Sequence, residues 1–163
     1  LLADTYSQLG YQAESGPWRN FYLTGAQDLF KKNVPYTSKL INDGVLSQMD
    51  MGTLLDYCAI QLNGEKAGGK EAVININFTD TKEKVMLMLN NGVLNHRLGS
   101  QDKKADLTME IAKMDFVKLF FGRTDLQTLS KMNKVKTIGD TKAIDIIRST
   151  YEPADPNFKI VLP

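Results

Sequence analysis

The sequence predicts an α+β fold: a mostly antiparallel five-stranded sheet covered by helices on one face and preceded by an αα-hairpin. Three observations predict it. Apolar residues recur at helical spacing up to residue 30 and again from 50 to 62. Between residues 73 and 111 the apolar period falls to two, with polar turns between the runs. Helical spacing returns after residue 113 and is interrupted once by a short strand. Strands gathered in a run, with helices gathered around them, indicate α+β rather than an alternating α/β chain.

The hairpin comes first. Leu2, Tyr6, Leu9 and Ala13 lie one helical turn apart, with Gly10 as a weak point. Ser15-Gly16-Pro17 then opens a second helix, because proline's missing N–H costs nothing in a first turn. Trp18, Phe21, Tyr22, Gly25 and Leu29 form one stripe, ending near Lys31-Lys32. Two such helices cannot cover each other's stripes, so the hairpin is expected to pack on something else. Trp18 and Arg19 could hold an anion at the helix start, or Trp18 and Tyr22 could pack on a partner. Residues 33–49 read as a connector, which divides the chain into residues 1–47 and 48–163.

Asp50 is suited to cap a helix carrying Met51, Leu54, Leu55, Cys58, Ala59 and Leu62, which Asn63–Gly69 breaks. Ile74, Ile76 and Phe78 alternate with Asn75 and Asn77 in a half-buried strand. Val85–Leu89 is apolar throughout, as in a strand covered on both faces. Asn91-Gly92 is a strong hairpin turn signal, and Val93–Arg97 returns as the next strand. Leu107, Met109 and Ile111 mark a fourth strand, giving four strands read as antiparallel. Met114–Phe121 is helical and ends at Gly122. A short helix over Asp125–Met132, a fifth strand over Lys134–Gly139, and a helix from an Asp140 cap to about Tyr151 complete the order. Ala143, Ile144 and Ile147 face inward, and Phe158–Pro163 forms an apolar tail.

Composition narrows the function. Lys+Arg numbers 20 and Asp+Glu 19, so the net charge of +1 gives no case for a nucleic-acid partner. No apolar run approaches the roughly 18 residues of a membrane span. One cysteine, Cys58, excludes an internal disulfide framework, and one histidine, His96, weighs against a zinc site or a His-based triad. The start at Leu1-Leu2-Ala3, without Met, reads as a piece of something longer. Cys58 falls on an inward stripe and reads as a buried small residue. His96 reads as a surface or hydrogen-bonded residue. Asp102, Asp106, Glu110 and Asp115 read as solvated charges and a cap, not as a catalytic pair.

The most informative segment is Phe116-Val117-Lys118-Leu119-Phe120-Phe121, apolar at five of six positions. A helix lying on a sheet needs a stripe only about 100° wide. Either the surplus rings meet another helix in a thick core, or they line a cavity for an aliphatic tail. For the cavity, the wall residues are Phe116, Leu119, Phe120, Phe121, Met132 and Ile147. Met86, Met88, Met109, Met114 and Met132 fall in the same stretch, and thioethers adapt to ligands of varied shape.

The run Gln8-Leu9-Gly10-Tyr11-Gln12-Ala13-Glu14-Ser15-Gly16-Pro17-Trp18-Arg19-Asn20-Phe21-Tyr22-Leu23-Thr24-Gly25-Ala26 resembles the end of the helical dimerisation domain of alkyl sulfatases. Those are zinc-dependent enzymes of the metallo-β-lactamase superfamily that hydrolyse alkyl sulfate detergents. Leu54-Leu55-Asp56-Tyr57, Ile76-Asn77-Phe78-Thr79-Asp80, Leu89–Arg97 and Lys134–Asp140 resemble their C-terminal domain, which is similar to sterol carrier protein. Asn133 stands where these domains usually have glycine, and asparagine tolerates positive φ. The family's His-x-His-x-Asp-His motif is missing, so no catalytic or metal residue carries over, and zinc is expected only in a parent protein. The resemblance implies a non-catalytic module. Residues 1–30 would make homodimer contacts, and residues 48–163 would bind or recruit an alkyl sulfate, fatty acid or similar apolar molecule. The rival is a purely structural domain packed on the parent's catalytic domain. A bacterial periplasmic or secreted parent is the setting the resemblance suggests.

Overall fold

The structure, a computed structural model, describes residues 1–30 and 42–153. They fall into two compact units, and the expected apolar tail at 158–163 lies outside the described residues.

The first unit is the helical hairpin. Helix α1 spans Leu2–Gln12 and α2 spans Gly16–Phe30. Their contact is made by small residues: Ala3 and Gly10 are buried on α1, Gly25 and Ala26 on α2. Gly10 is the tight point of this contact: a Cβ there would lie 2.7 Å from Leu23 Cδ2, so the Leu23 side chain would have to shift. Tyr6 and Tyr22 meet at a ring distance of 6.1 Å. Arg19 Nη2 donates to the Ala13 carbonyl at 3.0 Å, placing a cation on the C-terminal end of α1. Arg19 thus caps the end of α1.

The second unit opens with α3, Asp43–Gln48, in a stretch that the sequence presents as connector. Asn42 caps it by accepting the Val45 N–H, and Leu46 is 1% exposed. Helix α4 spans Met51–Ile60, with Asp50 accepting from the Thr53 N–H at 2.9 Å. A further helical turn, α5 over Gly64–Ala67, sits where the sequence presents only a break, because Asn63 caps it. Strands β1 (Ala72–Phe78), β2 (Lys84–Asn90), β3 (Val93–Leu98) and β4 (Leu107–Ile111) follow. Then come α6 (Lys113–Phe120), α7 (Leu126–Lys131), β5 (Val135–Gly139) and α8 (Lys142–Arg148). Asp140 Oδ1 accepts from the Lys142 N–H, as a cap would, but the helix stops at Arg148. Tyr151 leaves it to form an isolated bridge with Leu62.

The sheet order is β3-β2-β1-β4-β5. Asn91 and Gly92 turn β2 into β3 with φ of 51° and 75°, as a two-residue hairpin requires. Asn133, at φ 54°, makes the left-handed turn expected of it. The first four strands are not all antiparallel: β1 pairs with β4 in parallel, Ile74 opposite Leu107. The chain leaving β3 must therefore cross β2 and β1 to reach its place.

Period two divides the sheet's faces. Ile74, Ile76, Phe78, Val85, Leu87, Leu89, Leu107, Met109 and Ile111 share one face and are essentially inaccessible. Helix α4 packs on β3 and α8 on β1. The other face carries Asn75, Asn77, Met86 and Met88, and there the crossing chain supplies the cover. Asn75 Oδ1 accepts the Asp102 N–H at 2.9 Å while its Nδ2 donates to the Asp102 carbonyl at 2.7 Å. Asn75 is thus 5% exposed, on a strand the sequence presents as half-wet. Asp106 Oδ2 accepts the Val73 N–H at 2.8 Å, so this exposed carboxylate also fastens a strand.

Gly139 closes the β4–β5 end. Its φ is +107°, and a Cβ would lie 2.3 Å from the Asp106 carbonyl oxygen. Gly139→Ala is expected to cost about 2–4 kcal/mol in a urea titration, from backbone strain and displacement of Asp106. A loss within error of zero would show that the pinch relaxes freely.

Candidate functional site

Helix α6 follows Ala112, and its first turn is fixed by Asp80, whose carboxylate accepts the Lys113 N–H. Lys113 itself is 8% exposed. Its ammonium donates to the carbonyls of Ser47 and Met49, at the C-terminal end of α3, where a positive charge is favoured. Nothing in the sequence pattern marks Lys113 as buried, since the carbonyls it serves lie more than 60 residues away.

With that turn held, α6 drives its rings inward. Phe116 is fully buried and stands edge-on to Phe78 of β1, ring centroids 5.7 Å apart. Phe116 meets Phe120 at 5.9 Å, and Phe120 meets Phe121 at 5.2 Å. Phe121 in turn lies 5.8 Å from Tyr57 of α4 and 5.3 Å from Tyr151. The result is an aromatic spine running from the sheet, where exposure is near zero, to a half-buried rim of Tyr57, Phe121 and Tyr151. Edge-to-face contacts of this kind add roughly 0.5–1.5 kcal/mol each beyond burial.

The suggested wall residues are placed unevenly. Phe116, Leu119, Phe120 and Ile147 lie in the core at 0–2% exposure, and Phe121 is half-buried. Met132 departs from them: it stands at the C-terminal cap of α7, 61% exposed, because that helix ends one residue earlier. The methionines do not gather either. Met109 is wholly buried on the helix-covered face, Met86 and Met88 lie on the opposite face, and Met114 is half-buried. No sequence signal singles out Tyr57 or Tyr151. Tyr57 lies on α4, 59 or more residues before the α6 rings, and no periodicity joins it to them.

A second feature lies on the face away from α6. An open depression of about 480 Å3 is lined by Val73, Met88 and Val93, with Glu71, Asn90, Asn91 and Asn95 around it. None of the suggested wall residues reaches it.

The reactive side chains have structural partners. Cys58 is inaccessible, and burial pushes its thiol up to about 12. His96 is half-buried, with Nδ1 3.7 Å from Asp56 of α4. Asp125 lies below the usual carboxylate range because the Thr128 backbone N–H and then its hydroxyl donate to it. Burial raises Tyr151. Among the described residues no three His, Cys, Asp or Glu side chains come together to hold a metal ion, so these residues do not fit a zinc centre. No described helix is long and apolar enough to cross a membrane.

Residues 39–163 match the family model for the alkyl sulfatase C-terminal domain, and residues 1–32 match the alkyl sulfatase dimerisation model. The chain belongs to the alkyl sulfatase family. Over its whole length it is 38% identical to a linear primary-alkylsulfatase from Pseudomonas sp. It spans about a quarter of the length of the curated relatives it matches, 24% in that case. It also superposes on the stereoselective inverting sec-alkylsulfatase Pisa1 from Pseudomonas sp. with a TM-score of 0.85 and 35% identity, covering 98% of this chain and 25% of that one. A solved UbiJ-SCP2 ubiquinone synthesis protein matches 61% of the chain, and 90% of its own, at a TM-score of 0.50 and 14% identity. That likeness shows the fold: the α+β unit is built like sterol carrier protein.

Cys58 supplies a test of this packing. Its thiol titrates near 9.0 when unfolded and near 12 when folded, so the unfolded chain releases its proton first. Stability should therefore fall as pH rises between those values, less so in Cys58→Ala. At pH 8 a disulfide reagent should modify native Cys58 no faster than the chain opens. Rapid stoichiometric modification without unfolding would contradict the burial.

Proposed function

We propose that this chain is a non-catalytic module of an alkyl sulfatase. Its sterol-carrier-like unit takes up the aliphatic part of an amphiphile, and its helical hairpin contributes to a homodimer. The observation that carries the first half is the aromatic spine. A series of rings leading from a half-buried rim to the core is a path along which an alkyl chain can exchange ring contacts for methylene contacts. We take Phe116, Leu119, Phe120, Phe121 and Ile147 as the walls of that path; Met132, at 61% exposure, is the wall candidate that burial does not support. Each methylene taken from water contributes roughly 0.8 kcal/mol.

One observation favours a second reading, in which the unit is a structural domain packed on the rest of the protein. Phe116, Leu119 and Phe120 already fill their surroundings at 0–2% exposure. Uptake would then require the outer rings, Phe121 and Tyr151, to move.

For the hairpin, Tyr11, Trp18 and Phe21 are 73%, 66% and 52% exposed. Large rings left in water on a helix pair support burial against a second copy. We further propose that the parent protein hydrolyses alkyl sulfates, with its zinc held by residues outside this sequence.

Two measurements test these readings. Decyl sulfate, titrated below its micelle concentration, should raise Tm saturably, by about 3–6 °C at roughly ten times Kd. Phe121→Ala should weaken that binding more than it lowers the starting Tm. An absent or non-saturating shift would leave the structural reading standing. In sedimentation velocity, Trp18→Glu with Phe21→Glu should convert a dimer into a monomer; an unchanged distribution would remove the hairpin from the interface.

A further inference from the structure

At the end of α8, beside the half-buried rim, lies a guanidinium whose donors are poorly used. Arg148 has a side chain 23% exposed, yet its Nε is buried and has no hydrogen-bond partner among the described residues. Its other contacts are long: Nη1 to Asp145 Oδ1 at 3.4 Å and Nη2 to the Thr124 carbonyl at 3.4 Å. An N–H···O bond is normally 2.7–3.2 Å, so neither is a good one. A buried donor left unpaired is costly, more so on a charged group.

Two contacts place this guanidinium beside the loop that leaves the rim at Phe121, whose ring is 5.3 Å from Tyr151. Gly122, which follows Phe121, is close enough that a Cβ there would lie 4.0 Å from Arg148 Nη2. Thr124, which Nη2 reaches, lies two residues further along the same loop. Arg123, the neighbouring cation, is held in an ion pair with Asp43. Asp125 accepts from Thr128, and its carboxylate also feels the Arg148 charge. Asp145, which faces Arg148 weakly, is 64% exposed and can return to water.

We propose that Arg148 is the head-group site of the module. It binds the sulfate or carboxylate of an aliphatic amphiphile whose chain passes along Tyr151 and Phe121. A planar guanidinium fork matches the paired oxygens of such a head group, and an anion there would replace the long contacts of Nη1 and Nη2 and displace Asp145. The proposal rests on the reading that an aliphatic chain enters at this rim, and it adds the charge selectivity of that entry.

The test compares two ligands with one tail, octyl sulfate and 1-octanol, both below aggregation, by titration calorimetry on the whole chain at fixed salt. Wild type should bind the sulfate about tenfold more tightly than the alcohol, the low end for one charge-assisted contact. Arg148→Gln should bind both with the affinity of the alcohol, whereas Arg123→Gln should keep the preference. Equal binding of the two ligands by wild type, or a preference that survives Arg148→Gln, would overturn the head-group site while leaving chain uptake intact. Binding of neither by wild type would overturn both. Should Arg148→Gln fail to fold, the Arg148 Nε–H resonance of wild type decides the matter. It should shift with octyl sulfate and stay in place with octanol; a resonance indifferent to both overturns the assignment.

Discussion

The edge-on contact of Phe116 with Phe78 is the constraint on which the larger unit depends. The sheet has one strongly apolar face, and every inward residue of β1, β2 and β4 needs a cover that excludes water. Helices α4 and α8 cover β3 and β1, and α6 closes the end of β1 at Phe78 once its first turn is anchored. Asp80 holds that turn at the backbone, and Lys113 ties it to the end of α3. Once Phe116 is seated on Phe78, Phe120 and Phe121 must stack outward behind it. Phe121 meets both Tyr57 and Tyr151, and Phe120 meets Tyr151. The rim, and whatever it does, is thus a by-product of how the core is closed.

The two faces of the sheet are closed by different chemistry. Helices and rings cover one face, and a crossing chain held by polar groups covers part of the other. Asn75 answers both the donor and the acceptor of Asp102, so a buried carboxamide has satisfied partners and can specify where the crossing chain lies. A hydrophobic cover there would have no such registration. That division also explains why the methionines do not gather into a site: those of β2 point to the polar side by strand alternation, whatever their softness.

The elements themselves are legible in the sequence, because period and punctuation agree. Asp50 and Asn91-Gly92 sit where a cap and a turn are expected, and Ile74, Ile76 and Phe78 face inward as their spacing demands. What is not legible depends on partners distant along the chain. The parallel pairing of β1 with β4 leaves no local trace, since alternation is the same in either direction. Helices α3 and α5 are short pieces made by asparagine caps in stretches that also read as loop. Of the wall residues, those of α6 and Ile147 are placed by helical spacing, whereas Met132 rests on composition and is exposed. Tyr57, Tyr151 and Arg148 lie far apart in sequence from the α6 rings or outside their periodicity, and only assembly brings the rim and the guanidinium together.

The crossing of β3 over to β4 has a kinetic consequence. The β1–β2–β3 meander is built from neighbours in the chain and can zip from its Asn91-Gly92 turn. The β1–β4 ladder joins Ile74 to Leu107, so a long loop must close before its first rung gains anything. Until then β1 is an open edge, the Asn75 carboxamide has no clasp, and the rings of α6 have only part of their floor. The β1–β4 pairing is thus one that local zipping cannot supply, and β1 keeps an exposed edge until it forms.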